Sequence, residues 1–258
     1  MKVVLFCGGM GMRLRDYSEQ IPKPLVNIGS RPIIWHLMRY YAHFGHKEFI
    51  LCLGHGATAI KNFFLSYNEC ETNDFVLSQG GRKVDVLRRD IDDWRISFID
   101  TGLTSNIGER LRRVRDYVSE DEVFLANYAD GLSDLDLGAH VDAFLQRKKV
   151  ACFLSVPAPH TFHIVHSDAD QHVSKLEHVG RSLVRINAGF MILRREIFNY
   201  MNPGEELVIE PFQRLIDQRQ LLAVPYDGFW QNMDTFKDKI QFDQMVERGD
   251  TPWQVWKR

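Results

Sequence analysis

Residues 3–13 read VVLFCGGMGMR, and this stretch decides how the rest of the chain is read. Val3 to Phe6 is a short continuous apolar run, the pattern of a strand buried on both faces. A glycine-rich turn, Gly8-Gly9-Met10-Gly11-Met12, follows it directly. In α/β folds, ligands gather at the carboxyl ends of such strands. Glycines there let main-chain N–H groups approach phosphate oxygens with no Cβ in the way. Arg13 adds a permanently charged, bidentate contact for a phosphate. The competing reading is a tight turn followed by a surface arginine. The spacing fits neither G-x-G-x-x-G nor the P-loop pattern with its Lys-Ser/Thr, which disfavours a dehydrogenase or a P-loop kinase.

Working outward, the pattern continues as β-α-β-α. Pro32 is placed to open a helix in which Ile33, Ile34, Leu37, Met38, Tyr41 and Phe44 recur at three-to-four spacing, and Gly45 to close it. Phe49 to Leu53 reads as the next strand and Thr58 to Tyr67 as the next helix. Between 74 and 100 the runs Phe75–Leu77, Val84–Leu87 and Ile96–Ile99 read as short antiparallel strands. A helix over Ile107–Val118, a strand over Val123–Ala126, a helix over Leu135–Gln146 and a strand over Val150–Val156 restore the alternation. Residues 161–193 are again strand-rich, and two helices with the strand Leu221–Val224 complete the chain. This rhythm predicts an α/β fold: a mainly parallel, mixed sheet flanked by helices, with a small strand-rich lobe. No repeat or linker-like tract divides the sequence, so residues 1–258 are expected to form one domain.

At 258 residues and 45% apolar content, the chain can bury a sizeable core. Its formal charge of −2 gives no overall bias toward nucleic acid or membrane surfaces, so small anions must be held by local groups. The opening MKVVLFCGGMG is a poor secretory leader, because glycines interrupt the apolar run at once. Cys7, Cys52, Cys70 and Cys152 show no C-x-x-C pairing, and three lie in apolar runs, as expected of buried thiols in a reducing cytoplasm.

Three further segments carry candidate chemistry. In Pro22-Lys23-Pro24 the prolines stiffen the backbone and aim an ammonium that would neutralise charge on a reacting phosphate. Tyr128-Ala129-Asp130-Gly131 puts a carboxylate at the end of an apolar strand, where it suits a divalent metal that also touches phosphate. The alternative is a turn aspartate that caps the next helix. Gly228 to Thr235 offers Asp234 as a second carboxylate, with the alternative that Asp234 caps the helix beginning near Thr235.

Together these segments resemble the sugar-1-phosphate nucleotidyltransferases, and within them the cytidylyltransferase branch. The resemblance covers the whole chain. It rests on FCGGMGMRLRD followed by PLVNIGSRPIIWH, DTG at Asp100–Gly102, GERLRRV at Gly108–Val114, YADG, INAGF at Ile186–Phe190, GFWQNMDT and the ending TPWQVWKR, all in family order. It implies a Rossmann-like nucleotide-diphospho-sugar transferase fold. It implies that amides around Gly8, Gly9, Met10, Gly11 and Met12 hold the triphosphate, that Arg13 contacts the leaving pyrophosphate, and that Lys23 contacts the reacting phosphates. Asp130 and Asp234 would bind Mg²⁺, with Asp130 also beside the nucleotide. Arg110 would read the base, and Tyr128, Glu177 and Asn187 would face the acceptor. The implied partners are CTP, or another nucleoside triphosphate, and a phosphorylated acceptor. The implied setting is a cytoplasmic homo-oligomer.

The sequence departs from the family pattern in three places. Met12 stands where the family has threonine. His178-Val179 stands where the family has Lys-Pro, and that lysine holds the acceptor phosphate. His163 stands where the family has a glycine beside the sugar. A neutral imidazole is a poor substitute for an ammonium, although a protonated one would partly serve; Arg181 or Arg185 is an alternative basic group. The changes at 163 and 178 fall on the acceptor side, so nucleotidyl transfer is the firmer expectation and the acceptor the weaker. A binding or regulatory homologue without turnover is the rival reading, opposed by the retention of Asp130 and Asp234. Five histidines between 160 and 178 invite comparison with a zinc site, but separate surface or pocket histidines are the simpler expectation.

Overall fold

The computed structural model describes residues 1–9, 21–158 and 162–257, with Arg181 described at its backbone only. Val3–Phe6 lies in an eight-stranded sheet. Glu48–Leu53 and Val123–Tyr128 flank it, both parallel to it, and Arg95–Asp100 runs parallel to Glu48–Leu53 at the edge. On the other side Met191–Arg194 is antiparallel to Val123–Tyr128 and to Ala151–Pro157. Arg185–Asn187 pairs antiparallel with Ala151–Pro157, and Leu221–Pro225 runs parallel to it. The expected mixed, mainly parallel sheet is therefore present. One reading is corrected: the run Ile96–Ile99 belongs to a parallel edge strand of the main sheet rather than to an antiparallel lobe. A half-covered edge strand shows the same alternation as a lobe strand, so its pattern could not decide its partner.

The period of two within VVLF accounts for both faces of the sheet. Val3 and Leu5 are fully buried on one face, against Ile34, Leu37 and Met38 of the helix Ile33–His43 and against Phe144 and Phe242. Val4 and Phe6 face the other side, toward Leu111 of the helix Ile107–Arg113 and Phe212 and Leu215 of the helix Glu210–Asp217. Each such side chain contributes about 1.5–3 kcal/mol by leaving water. Truncating the fully buried Leu5 to alanine would cost about 2–5 kcal/mol.

Pro32 immediately precedes the helix Ile33–His43, and Gly45 follows it at φ +84°, as the periodicity predicts. The helix expected over Ile107–Val118 is shorter: an α segment to Arg113, then a tighter turn over Arg115–Val118. The carboxy-terminal Trp253 is fully buried, and its indole N–H donates to His36 Nδ1 at 3.3 Å. Indole is a donor only, so the His36 proton resides on Nε2, which donates to the Ile28 carbonyl at 3.1 Å. Burial holds the His36 pKa down at about 4.

Among the described residues, two of the hairpins outside the main sheet form the strand-rich part. Phe75–Ser78 pairs with Lys83–Val86, and His163–Ser167 with Val173–His178. Neither contains a fully buried residue. The four cysteines are free; Cys7, Cys52 and Cys152 are buried. Among the described residues, no helix is long and apolar enough to cross a membrane.

Candidate functional site

The strands Val3–Phe6, Glu48–Leu53, Arg95–Asp100, Val123–Tyr128 and Ala151–Pro157 all point the same way, so their carboxyl ends share one rim of the sheet. Gly8, Gly54, Gly102, Asp130 and the His163–His178 hairpin leave these strand ends in turn. The sequence-predicted residues that the structure describes are gathered at this rim or on that hairpin.

Lys23 is the centre of the best-defined cluster. Its ammonium donates to Asp130 Oδ2 at 2.5 Å and to Asp234 Oδ1 at 2.5 Å. The lysine opens a short 3₁₀ turn, Lys23–Leu25, in which Leu25 N–H donates to the Pro22 carbonyl at 2.8 Å. Pro22 packs against Gly56, where a Cβ would come within 2.5 Å of the proline ring. Burial pulls the Lys23 pKa down, but the charge of Asp130 and its hydrogen bond, with those of Asp234, outweigh this and leave the pKa raised. The side chain is only 13% exposed, so the ammonium is held ionised by two carboxylates on segments more than 100 residues away.

A short ribbon brings those carboxylates together. Gly131–Ser133 pairs antiparallel with Trp230–Asn232, with Asn232 opposite Gly131. Asp130 precedes the first strand, Asp234 follows the second by two residues, and Met233 N–H donates to the Asp130 carbonyl at 2.9 Å. Neither aspartate is a helix cap. Asp136 caps Leu137–Arg147, and Thr235 caps Phe236–Glu247 in a reciprocal capping box with Asp238. Asp238 also accepts the Asp234 N–H at 3.0 Å, and Asn232 Nδ2 donates to Asp234 Oδ2 at 2.6 Å, fixing the carboxylate from behind. Asn232 and Asp238 are supports that the sequence reading did not single out.

Arg110, expected to read the base, is bonded to the loops around it. It is 2% exposed. Its Nη1 donates to the Leu53 carbonyl at 3.0 Å and to Thr101 Oγ1 at 2.8 Å, and its Nη2 donates to the Gly8 carbonyl at 2.9 Å. The guanidinium thus ties together the loops after three parallel strands. A Cβ at Gly8 would fall 2.1 Å from Arg110 Nη1, and one at Gly54 would fall 2.6 Å from it. Part of the reason for glycine at position 8 is therefore room for this arginine. Gly9 is exposed, and among the described residues nothing lies near its Cβ position. Burial lowers the Arg110 pKa, with partial compensation from electrostatic interaction with Cys52 and Cys7.

On the opposite side of the rim, His163 and His178 are directly paired across the hairpin, with rings 5.4 Å apart and edge-on. The departures at 163 and 178 are thus neighbours in space. His178 Nδ1 accepts the Gly180 N–H at 3.2 Å. Glu177 lies on the other face of the hairpin, where Lys175 donates to it at 2.7 Å and His166 approaches to 3.5 Å. Asn187 Oδ1 accepts the Gly189 N–H at 2.9 Å in the turn after Arg185–Asn187. Tyr128 is half-buried; burial, then the charges of Glu206 and Asp130, push its pKa up to about 12, against a hydrogen bond with Asn187. That bond joins two of the residues expected to face the acceptor. Arg185 is engaged with Asp227 and with the Ser155 and Tyr226 carbonyls. Met10, Gly11, Met12, Arg13 and His160 lie outside the described residues. Among the described residues, no three His, Cys, Asp or Glu side chains converge as a metal cluster.

Comparison with known proteins gives the same picture as the geometry. The family model for nucleotidyl transferases matches residues 2–238. A glucose-1-phosphate cytidylyltransferase of Salmonella typhi is 35% identical over 99% of this chain and 100% of its own. A probable glucose-1-phosphate cytidylyltransferase of Bacillus subtilis is 33% identical over the same shares. In fold, the chain is similar to the crystal structure of a putative glucose-1-phosphate thymidylyltransferase from Bacillus anthracis, with a TM-score of 0.70 and 16% identity over 95% of each chain.

Proposed function

Because the chain belongs to the nucleotidyl transferase family, we propose that it transfers CMP from CTP to a sugar 1-phosphate and releases pyrophosphate. The observation that carries this reading is the meeting of Lys23, Asp130 and Asp234 at the rim of the parallel sheet. Two carboxylates within reach of one cation are hard oxygen donors of the kind that hold Mg²⁺ together with phosphates. Asp130 and Asp234 would hold the ion, which when bound offsets negative charge on the triphosphate. Lys23, steered by Pro22 and kept charged by its surroundings, neutralises the reacting phosphates. Gly9 and the amides that follow take the triphosphate, and Arg13 takes the leaving pyrophosphate.

In the reaction, an acceptor phosphate oxygen attacks the α-phosphorus in line. The bond to the β-phosphate oxygen breaks and pyrophosphate departs, with no covalent intermediate on the protein. Positioning and charge neutralisation account for such a step. Arg110 serves the donor site by holding the Gly8, Leu53 and Thr101 segments around the nucleotide. The acceptor meets Tyr128, Asn187 and the His163–His178 pair.

That pair supports a second reading, of the same chemistry on an acceptor other than glucose 1-phosphate. A phosphate-binding lysine has been replaced together with the residue directly opposite it. The chain acts as one domain in the cytoplasm and as a homo-oligomer. The exposed apolar face of the hairpin 75–86, formed by Phe75, Leu77 and Val84, is suited to a contact between copies. The test is pyrophosphate release from CTP, UTP, dTTP and GTP against sugar 1-phosphates, other phosphates and phosphonates. Equal catalytic efficiency with CTP and UTP would remove the cytidylyl assignment. Turnover with glucose 1-phosphate at about 10⁴ M⁻¹s⁻¹ or more would remove the changed-acceptor reading.

A further inference from the structure

The Lys23 ammonium and a divalent ion draw on the same two oxygens. Lys23 Nζ stands 2.5 Å from Asp130 Oδ2 and 2.5 Å from Asp234 Oδ1. The second oxygen of Asp234 is engaged by Asn232 Nδ2 at 2.6 Å, so a metal drawing on this carboxylate competes with Lys23 for Oδ1. Carboxylate oxygens ligate Mg²⁺ at about 2.0–2.1 Å. A cation bound to both oxygens at that range would take the ammonium's place, and two positive charges cannot share it.

The carboxylates are fixed without help from the lysine. Met233 N–H donates to the Asp130 carbonyl at 2.9 Å, Asp238 accepts the Asp234 N–H at 3.0 Å, and the ribbon sets their register. Departure of Lys23 therefore leaves two hard oxygen donors facing one place. The backbone of Lys23 is fixed as well, by Pro22 against Gly56 and by the turn that Leu25 closes on the Pro22 carbonyl. Its four-carbon stem reorients by rotation about single bonds. The side chain is only 13% exposed, so an ammonium that leaves the carboxylates needs another anion, because an unpaired buried charge is costly. The donor triphosphate is such an anion.

We propose that Lys23 is the internal cation of the Asp130–Asp234 pair and leaves it only when phosphate oxygens draw it away, so that the chain by itself binds divalent metal weakly and takes it up together with the triphosphate. This inference rests on the reading of the two aspartates as metal ligands.

The test titrates Mn²⁺ alone, without nucleotide, into the full chain and follows the electron paramagnetic resonance signal of free Mn²⁺. Lys23→Met should bind the ion roughly ten- to a hundredfold more tightly than the native chain, the worth of one charge-assisted contact removed from competition. Adding Asp130→Asn and Asp234→Asn to that variant should abolish the gain. Mn²⁺ should also raise the thermal unfolding midpoint of Lys23→Met by more than that of the native chain. Lys23→Gln provides the same comparison where the methionine variant fails to fold. Equal affinity in the native chain and the lysine variants would overturn the proposal; if that shared affinity still fell on loss of the two aspartates, the metal assignment itself would stand. An affinity indifferent to the aspartates in every background would sink both.

Discussion

The parallel half of the sheet and the hairpin beyond Pro157 border the same rim, yet they are built in opposite ways. In the parallel half, Lys23 is clasped by two aspartates and Arg110 by the carbonyls and hydroxyl of three loops, all over a fully buried core. In the hairpin, His163 and His178 mainly have each other and one backbone amide. The difference teaches where change is affordable. On the proposed reading, charge handling at the triphosphate would depend on groups locked by distant segments, whereas acceptor choice would rest on exposed cross-strand positions that can be exchanged without disturbing a core.

The sharpest way to break this contrast is at the carboxylates. Asp130→Asn or Asp234→Asn should lower kcat on the order of 10²–10³-fold, as for loss of one electrostatic group at a reacting centre. The circular dichroism spectrum should stay native. Near-normal pyrophosphate release in both variants at saturating magnesium would refute the assignment.

Arg110→Ala probes the other lock. It strips hydrogen bonds from buried carbonyls, each bond to a charged donor being worth about 1.5–3 kcal/mol. The midpoint of thermal unfolding should fall by roughly 6 °C or more, and use of CTP should weaken with it. A loss of CTP discrimination at unchanged stability would instead make Arg110 a direct reader of the base.

The buried half should also dominate acid sensitivity. The His36 pKa, about 4 in the folded chain against an ordinary value near 6.5, means that the unfolded state binds the extra proton between those pH values. The stabilisation is complete above about pH 6.5 and is lost as pH falls toward 4, up to roughly 3 kcal/mol in all. Urea midpoints at pH 7 and pH 4.5 should therefore diverge less in His36→Gln than in the native chain; equal divergence would place the sensitivity elsewhere.

The smallest effect is expected on the hairpin. His163→Gly with His178→Lys should raise kcat/KM for glucose 1-phosphate roughly ten- to a hundredfold, the worth of one charge-assisted phosphate contact. Thermal stability should hardly move, because neither position is buried. An unchanged efficiency would show that acceptor choice lies elsewhere on the rim.

Much of this was legible in the chain. VVLF followed by glycines announced the first strand and its rim, and the spacing from Ile33 to Phe44 announced the helix behind it, because period and burial are local properties. Lys23, Asp130 and Asp234 were each legible only as weak candidates. Asp130 and Asp234 each had a helix-cap alternative, and only the ribbon pairing joins them. The opposition of His163 to His178 depends on hairpin register, which the intervening loop sets and the side chains do not announce. The clamp by Arg110 was barely legible, since it joins loops after three separate strands. Its one sequence trace is the recurrence of glycine just past the strands ending at Phe6, Leu53 and Asp100.

The ribbon between Gly131–Ser133 and Trp230–Asn232 has a consequence for how the chain tolerates insertions. More than a hundred residues separate Asp130 from Asp234, but their juxtaposition is reset locally, by Asn232 standing opposite Gly131. Added or deleted residues in the exposed Asp168–Gln171 turn leave that pairing untouched. A single residue inserted between Trp230 and Asp234 would displace the carboxylate by about 3.4 Å and turn it to the opposite face of the strand. Length is thus free to drift in the exposed turns of the interval and frozen over its last few positions.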